Sequence, residues 1–179
     1  YYYINWKVSN HMSTLSVDTI QGQTAAAKVI FPAGVVIQTQ FHTFTTQTSV
    51  TSNSYSDVGG SSFSFTPKFA SSVLHISYSV HVYSFRSSDD NGGSVDINVD
   101  GSNISASGDT RELLFSIGGA SSLAFFTRIH KEVSVAATNT SAKTIKLQMQ
   151  NNQSGNSGGF RINDGGAYTS SIKVQEIAQ

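Results

Sequence analysis

The chain has no cysteine, only two prolines and few charges, and each shortage closes off a class of explanation. Without cysteine there is no disulfide framework and no thiolate metal site, so the fold is held by core burial and, where chains assemble, by subunit contacts. Charged residues are 12% of the 179 positions, about half the usual share of ~25%. Eleven Lys and Arg balance eleven Asp and Glu, so no overall field draws the chain to nucleic acid or to an anionic membrane. No apolar run approaches the ~20 residues that span a bilayer, and no membrane insertion is expected.

What the sequence has in excess is hydroxyl groups, 30 Ser and 16 Thr. A surface wetted by Ser, Thr, Asn and Gln in place of Lys and Glu is the composition of extracellular and virion β-proteins rather than of cytosolic enzymes.

The clearest architecture is Ser72 to Tyr83. Leu74, Ile76, Tyr78, Val80 and Val82 share one parity, and His75, Ser77, Ser79 and His81 share the other. Alternation with period two over twelve residues, rich in β-branched and aromatic types, predicts a long central strand with one face on a core. The same pattern recurs along the chain. Val35 to Phe44 is expected to turn Val35, Ile37, Thr39, Phe41 and Thr43 inward, and Ser61 to Phe65 to bury Phe63 and Phe65 before Pro67 stops the strand. Gln47 to Ser56 reads as a Ser/Thr-rich connection. Val95, Ile97 and Val99 return after a polar turn, and Asp100-Gly101 signals a two-residue hairpin.

Ser122 to Val135 carries Leu123, Phe125, Ile129, Val133 and Val135 on one parity. Phe126 breaks the pattern, which implies that part of this strand is covered on both faces, as at a subunit interface. Ile145, Leu147 and Met149 form the inward set of the next strand, and Ile172 and Val174 that of the last. Asp109 to Gly119 fits one helical turn or a strand. Short strands at this spacing, with no convincing helical period, predict an all-β fold, an antiparallel jelly-roll-like β-sandwich with an extended N-terminal β arm.

Three segments organise the chain. Residues 1–11 are either a cloning remnant, His11-Met12 being what a common cloning site leaves, or a separate piece of a longer chain. Residues 12–34 form an arm or attachment segment, and residues 35–179 the sandwich. Leu15, Val17 and Ile20 of the arm are too few to make a core alone, so they are expected to pack in assembly.

Three blocks also carry a family resemblance. The first is Ser13-Thr14-Leu15-Ser16-Val17-Asp18-Thr19-Ile20-Gln21-Gly22, then the small-residue linker Thr24 to Ala27 and the step Pro32-Ala33-Gly34. The second is Thr66-Pro67-Lys68 running through Ser71-Ser72 into the central strand. The third is Ser170-Ser171-Ile172-Lys173-Val174-Gln175-Glu176-Ile177. From Met12 to Gln179 the chain resembles short virion structural proteins of marine and cyanobacterial bacteriophages, of tail-fibre or tail-tip type. The resemblance implies a homotrimer assembled in the host cytoplasm, joined to other virion proteins through its arm, with the sandwich exposed as a knob that touches the host surface. A capsid decoration or cement protein is the alternative, and a carbohydrate-binding module unrelated to phages a more distant one.

Chemistry-bearing constellations are sparse. Five histidines among 30 serines produce chance pairings, and no nucleophile, base and acid are brought together by sequence. His75 and His81 lie about 20 Å apart along one strand and cannot share a metal within a subunit. No glycine pair opens a helix as a phosphate loop does, and no two carboxylates stand out as a glycosidase pair. The expectation is a protein that is not an enzyme and carries no metal or other cofactor. Recognition is expected in loops at the ends of the sandwich. Phe85 to Gly93 combines ring, the Arg86 guanidinium and carboxylates, so Tyr83 or Phe85 would stack on a host glycan while Asp89, Asp90 and Asn91 bond its hydroxyls, with Arg86 also among the binding residues. Asn151 to Gly159 is a second, amide-rich loop tip.

Overall fold

The computed structural model describes residues 31–86, 91–104, 113–115, 123–151 and 159–179. Contacts divide the chain after Phe31, and the second unit, Pro32–Gln179, carries every strand described. The strands are β1 Val36–Phe44, β2 Thr48–Val50, β3 Ser56–Asp57, β4 Phe63–Phe65, β5 Val73–Arg86, β6 Asn91–Val99, β7 Ser102–Asn103, β8 Leu113–Phe115, β9 Leu123–Ala136, β10 Lys143–Asn151, β11 Gly159–Ile162 and β12 Ser170–Ile177. A 3-10 turn at Asp164–Gly166 is the one helical element among the described residues. The fold is all-β, and its strands form two antiparallel sheets.

β5 organises the first sheet. β9 pairs with it over its whole length, from Val73 opposite Ala136 to Arg86 opposite Leu123. Its other edge is shared, with β12 alongside Val73 to Ser79 and β11 alongside Val82 to Phe85. Beyond these, β1 pairs with β12 and β2 with β11. β11–β12 and β1–β2 are therefore two continuous lines, each interrupted by a short excursion. In the second sheet β10 pairs with β6. β4 and β3 share the outer edge of β10, and β7 and β8 that of β6.

Counted as lines among the described residues, each sheet has four. The sequence-order pairings nest: first line with last, second with seventh, third with sixth, fourth with fifth. The β6–β7 link is the two-residue hairpin expected at Asp100-Gly101. Both residues have positive φ, 50° and 90°, which is the type I′ geometry that matches strand twist and favours Asp-Gly.

The core lies between the sheets. Leu74, Ile76, Tyr78, Val80 and Val82 of β5 are buried as the alternation predicts, and so are Val95, Ile97, Ile145, Leu147, Met149, Ile172 and Val174. Phe65 is buried and Phe63 packs partly against the core. Tyr78 crosses the sandwich, its hydroxyl donating to the carbonyl of Val95 at 2.8 Å, which satisfies the polar tip of a buried ring.

β1 overturns its expected parity. A register irregularity between Val36 and Gln38 slips the strand by one residue, and with period two that exchanges its faces. Phe44 is buried while Phe41 is 68% exposed. Gln38 and Gln40 instead donate to the carbonyls of Thr66 and Ser64, and the His42 ring bonds that of Gly60 at 2.7 Å. These side chains join the edge of the first sheet to the β4 segment of the second. The Ser/Thr-rich connection contains β2, a short strand that continues the line of β1.

β9 departs in another way. Ile129, Val133 and Val135 pack on the core, but Phe125, expected inward with them, is 42% exposed, and Phe126 on the other parity is 51% exposed within the single chain. They lie where β9 runs beside the far end of β5. β6 is buried on both faces, its Ser94, Asp96 and Asn98 each 2% exposed. Within the weakly patterned stretch from Asp109 to Gly119, Leu113–Phe115 forms a strand.

Candidate functional site

The outer face of the first sheet concentrates the side chains with chemistry. β5 contributes His75, His81, Tyr83 and Phe85 at alternate positions, because its other parity is in the core. β9 lays Phe126, Arg128, His130, Glu132 and Ser134 beside them. Register places Arg128 opposite His81 and Phe126 opposite Tyr83. From the other side β11 brings Arg161 opposite Tyr83.

One end of this face is polar. Glu132 lies between two imidazoles, 3.2 Å from Nε2 of His130 and 3.4 Å from Nε2 of His75. The hydrogen bond from His130 leads the causes that hold its carboxyl below the ordinary value, against a smaller cost of burial, with the charges of His75, His130 and Lys173 adding to it. Nδ1 of His75 is 3.1 Å from Oγ of Ser134. Ser134, His75 and Glu132 are thus a hydroxyl, an imidazole and a carboxylate in sequence. They sit on an open strand face, and 3.4 Å exceeds the ~2.7–2.9 Å of a charge-assisted bond. Among the described residues no group of three or more His, Asp or Glu is arranged to hold a metal ion.

The other end is aromatic. Tyr168 lies face to face on His81, with centroids 3.6 Å apart and planes within 3°. Tyr83 lies 4.5 Å from Phe126 and 5.5 Å from Phe85. The Arg161 guanidinium rests over the Phe85 and Tyr83 rings at 4.7 and 5.5 Å, and Nη1 bonds Asp164 at 3.0 Å. Phe85 can lie flat there because Gly159 has no Cβ, which would come within 2.8 Å of the ring. Arg128 reaches Oγ of Ser79 at 3.1 Å and the carbonyl of Thr169 at 3.3 Å. Nδ1 of His81 and Nε of Arg161 are buried without a hydrogen-bond partner. Burial first and then the charge of Arg128 push the His81 imidazole below its usual pKa, with Asp164 acting the other way.

Tyr168 owes its place to Asn163. The excursion between β11 and β12 begins with Asn163 in the left-handed region, φ 54°, which Asn tolerates better than most residues. Its side chain donates to the carbonyl of Phe44 at 3.2 Å and accepts from Oγ of Ser170 at 2.7 Å. Its amide donates to the carbonyl of His81 at 3.0 Å. Gly165 donates to the side-chain oxygen of Gln47 at 2.7 Å, so both interrupted lines are fixed where they leave the sheet.

Of the residues expected to bind, Tyr83 and Phe85 lie in this aromatic cluster. Tyr83 is a strand residue as expected, and Phe85 is one too rather than a member of the loop, because β5 continues through Arg86 and β6 resumes at Asn91. Arg86 and Asn91 are therefore strand ends, and Asp89 and Asp90 lie outside the described residues. The second loop is shorter than expected, Asn151 closing β10 and Gly159 opening β11, with 152–158 outside the described residues. Leu15, Val17 and Ile20 also lie outside them. Tyr168, Phe126, Arg128 and Arg161 were not anticipated as site residues. Phe126 left a signal as the apolar residue on a polar parity, whereas Tyr168 left none.

No protein-family model matches the chain, and no curated protein matches it. Among solved structures it is similar to a chain in the structure of infectious bursal disease virus, Gx strain, at 14% identity and a TM-score of 0.31. That superposition covers 93% of this chain and 44% of the viral one, so this chain spans less than half its length. Likeness at this level decides neither fold family nor function.

Proposed function

We propose that the chain is a bacteriophage virion structural protein without enzymatic activity, the jelly-roll knob of a trimeric tail fibre or tail tip whose aromatic outer face touches the host surface. The observation that carries the contact is exposure: Phe126 and Tyr168 keep 51% and 37% of their surface in water on one side of a sheet, and clustered exposed apolar side chains mark interaction sites. Two further features support the virion reading. The nested pairing of eight lines is the order two interlocked Greek keys produce, an architecture common to viral capsid and lectin domains. Three sequence blocks resemble phage virion proteins across Met12 to Gln179. An arm at residues 12–34 would make the attachment.

Immunogold labelling of purified particles tests the placement, with gold expected at the tail. Gold on the capsid shell would replace the tail role by a decoration role, and its absence from particles would sink the virion reading. Purified protein is also expected to slow adsorption of the phage to host cells in a competition assay.

A further inference from the structure

We infer that the aromatic end of this face binds an acidic glycan, a sugar chain that carries carboxylates. The inference rests on the reading of this face as the host-contacting one and names its ligand class.

Each exposed ring has a second ring beside or beneath it. His81 supports Tyr168 at 3.6 Å, and Tyr83 flanks Phe126 at 4.5 Å. Rings held this way offer flat apolar area with little rotamer entropy left to lose on binding. A pyranose presents a C–H face of matching size, and stacking it there removes apolar surface from water on both partners.

Charge decides the kind of sugar. Arg128 lies on this face opposite His81, and both its hydrogen-bond partners, the Ser79 hydroxyl and the Thr169 carbonyl, are neutral. Arg161 stands on the other flank, its charge met by Asp164 through Nη1 alone while Nε has no partner. Among the described residues, two guanidiniums against one carboxylate leave the patch cationic. The lowered pKa of His81 makes that ring neutral at pH 7, so it neither adds to nor offsets this charge. A carboxylate beside the stacked pyranose would complete Arg128 with a charge-assisted bond. A neutral sugar would gain the ring contact alone.

Isothermal titration calorimetry on the full chain tests this with oligogalacturonate, oligoalginate and polysialic acid as carboxylated probes. Maltoheptaose is the neutral comparison and dextran sulfate the simple polyanion. At least one carboxylated probe is expected to bind at least tenfold tighter than maltoheptaose. Phe126→Ala and Tyr168→Ala should each weaken it about tenfold, and Arg128→Gln should bring it down to the neutral level. Phe41→Ala, exposed elsewhere on the same face, should change nothing. A second readout follows from the coupling to His81. Neutralising Arg128 should raise the pKa of that imidazole in an NMR titration with ligand bound.

Binding by none of the three probes, equal binding of the neutral chain, or dextran sulfate binding insensitive to Phe126→Ala would overturn the inference. All four altered residues are exposed, and unchanged melting temperatures confirm that the variants fold. If the protein competes for adsorption yet binds no carboxylated probe, the inference fails and the proposed function stands. If it binds a probe but is absent from particles, the proposed function fails alone.

Discussion

Glu176 occupies a core-facing position of β12, in the series Ile172, Val174, Glu176, Ala178, and is fully buried. Burial alone would push its carboxyl up. Four donors outweigh that and hold the pKa below 4.5: the amides of Lys68 and Phe69, the Ser72 hydroxyl and the Gln38 side chain. The carboxylate thereby fixes the turn after Pro67 that leads into β5. Glu176→Gln puts an NH2 group against donors and removes the charge, and should cost roughly 3 kcal/mol in urea unfolding. The sign of the pH effect follows from the depressed pKa. This group's contribution is complete above the unfolded value and fades as pH falls below about 4.5 through the folded one. The acid limb of a melting-temperature profile should therefore flatten in Glu176→Gln, and an unaltered limb would reject the assignment. Gly93 makes a steric counterpart. A Cβ there would lie 2.3 Å from the Phe160 ring, so Gly93→Ala forces a fully buried aromatic to move and should destabilise by at least ~1–3 kcal/mol.

At the scale of the element, β1 and β5 separate what alternation can and cannot reveal. In β5 every apolar residue of the predicted parity is buried, because a central strand has a continuous register and nothing interrupts its period. In β1 the irregularity after Val36 shifts the phase by one residue, and the inward positions hold Gln38, Gln40 and His42, which bond carbonyls rather than fill a core. Composition gives no sign of such a slip. Phe41→Ser should therefore change stability by no more than ~0.5 kcal/mol, whereas Phe44→Ala should cost ~3–5 kcal/mol. Equal losses in chemical denaturation would show that β1 has the parity its sequence suggests. The site was legible in the same partial way. Tyr83 and Phe85 were visible as rings at the end of β5, but Phe126 and Arg161 join them only through strand pairing distant in sequence. Tyr168 joins them through an excursion held by Asn163, which no period announces.

At the scale of the whole molecule, the sandwich buries its core within one chain, Ile76, Leu147 and Val174 being inaccessible to solvent. A homotrimer then has two places from which to draw its energy. One is the arm, whose sequence offers in Leu15, Val17 and Ile20 too few apolar residues for a core, so that three copies about an axis would supply the partner. The other is the exposed surface of β9 at Phe125 and Phe126. These alternatives make opposite demands on the aromatic face, because rings buried between subunits cannot also meet a glycan. Light scattering on the full chain is expected to give about three times the 19.1 kDa of one chain, and a monomer at micromolar concentration would reject the trimer. Deleting residues 12–22 should release monomers that keep a β-type circular dichroism spectrum, since no described core residue lies in that stretch. A trimer that survives the deletion would place the contact on the sandwich. Phe126→Ala would then weaken the assembly rather than ligand binding, and the outer face would be an interface between copies of this chain.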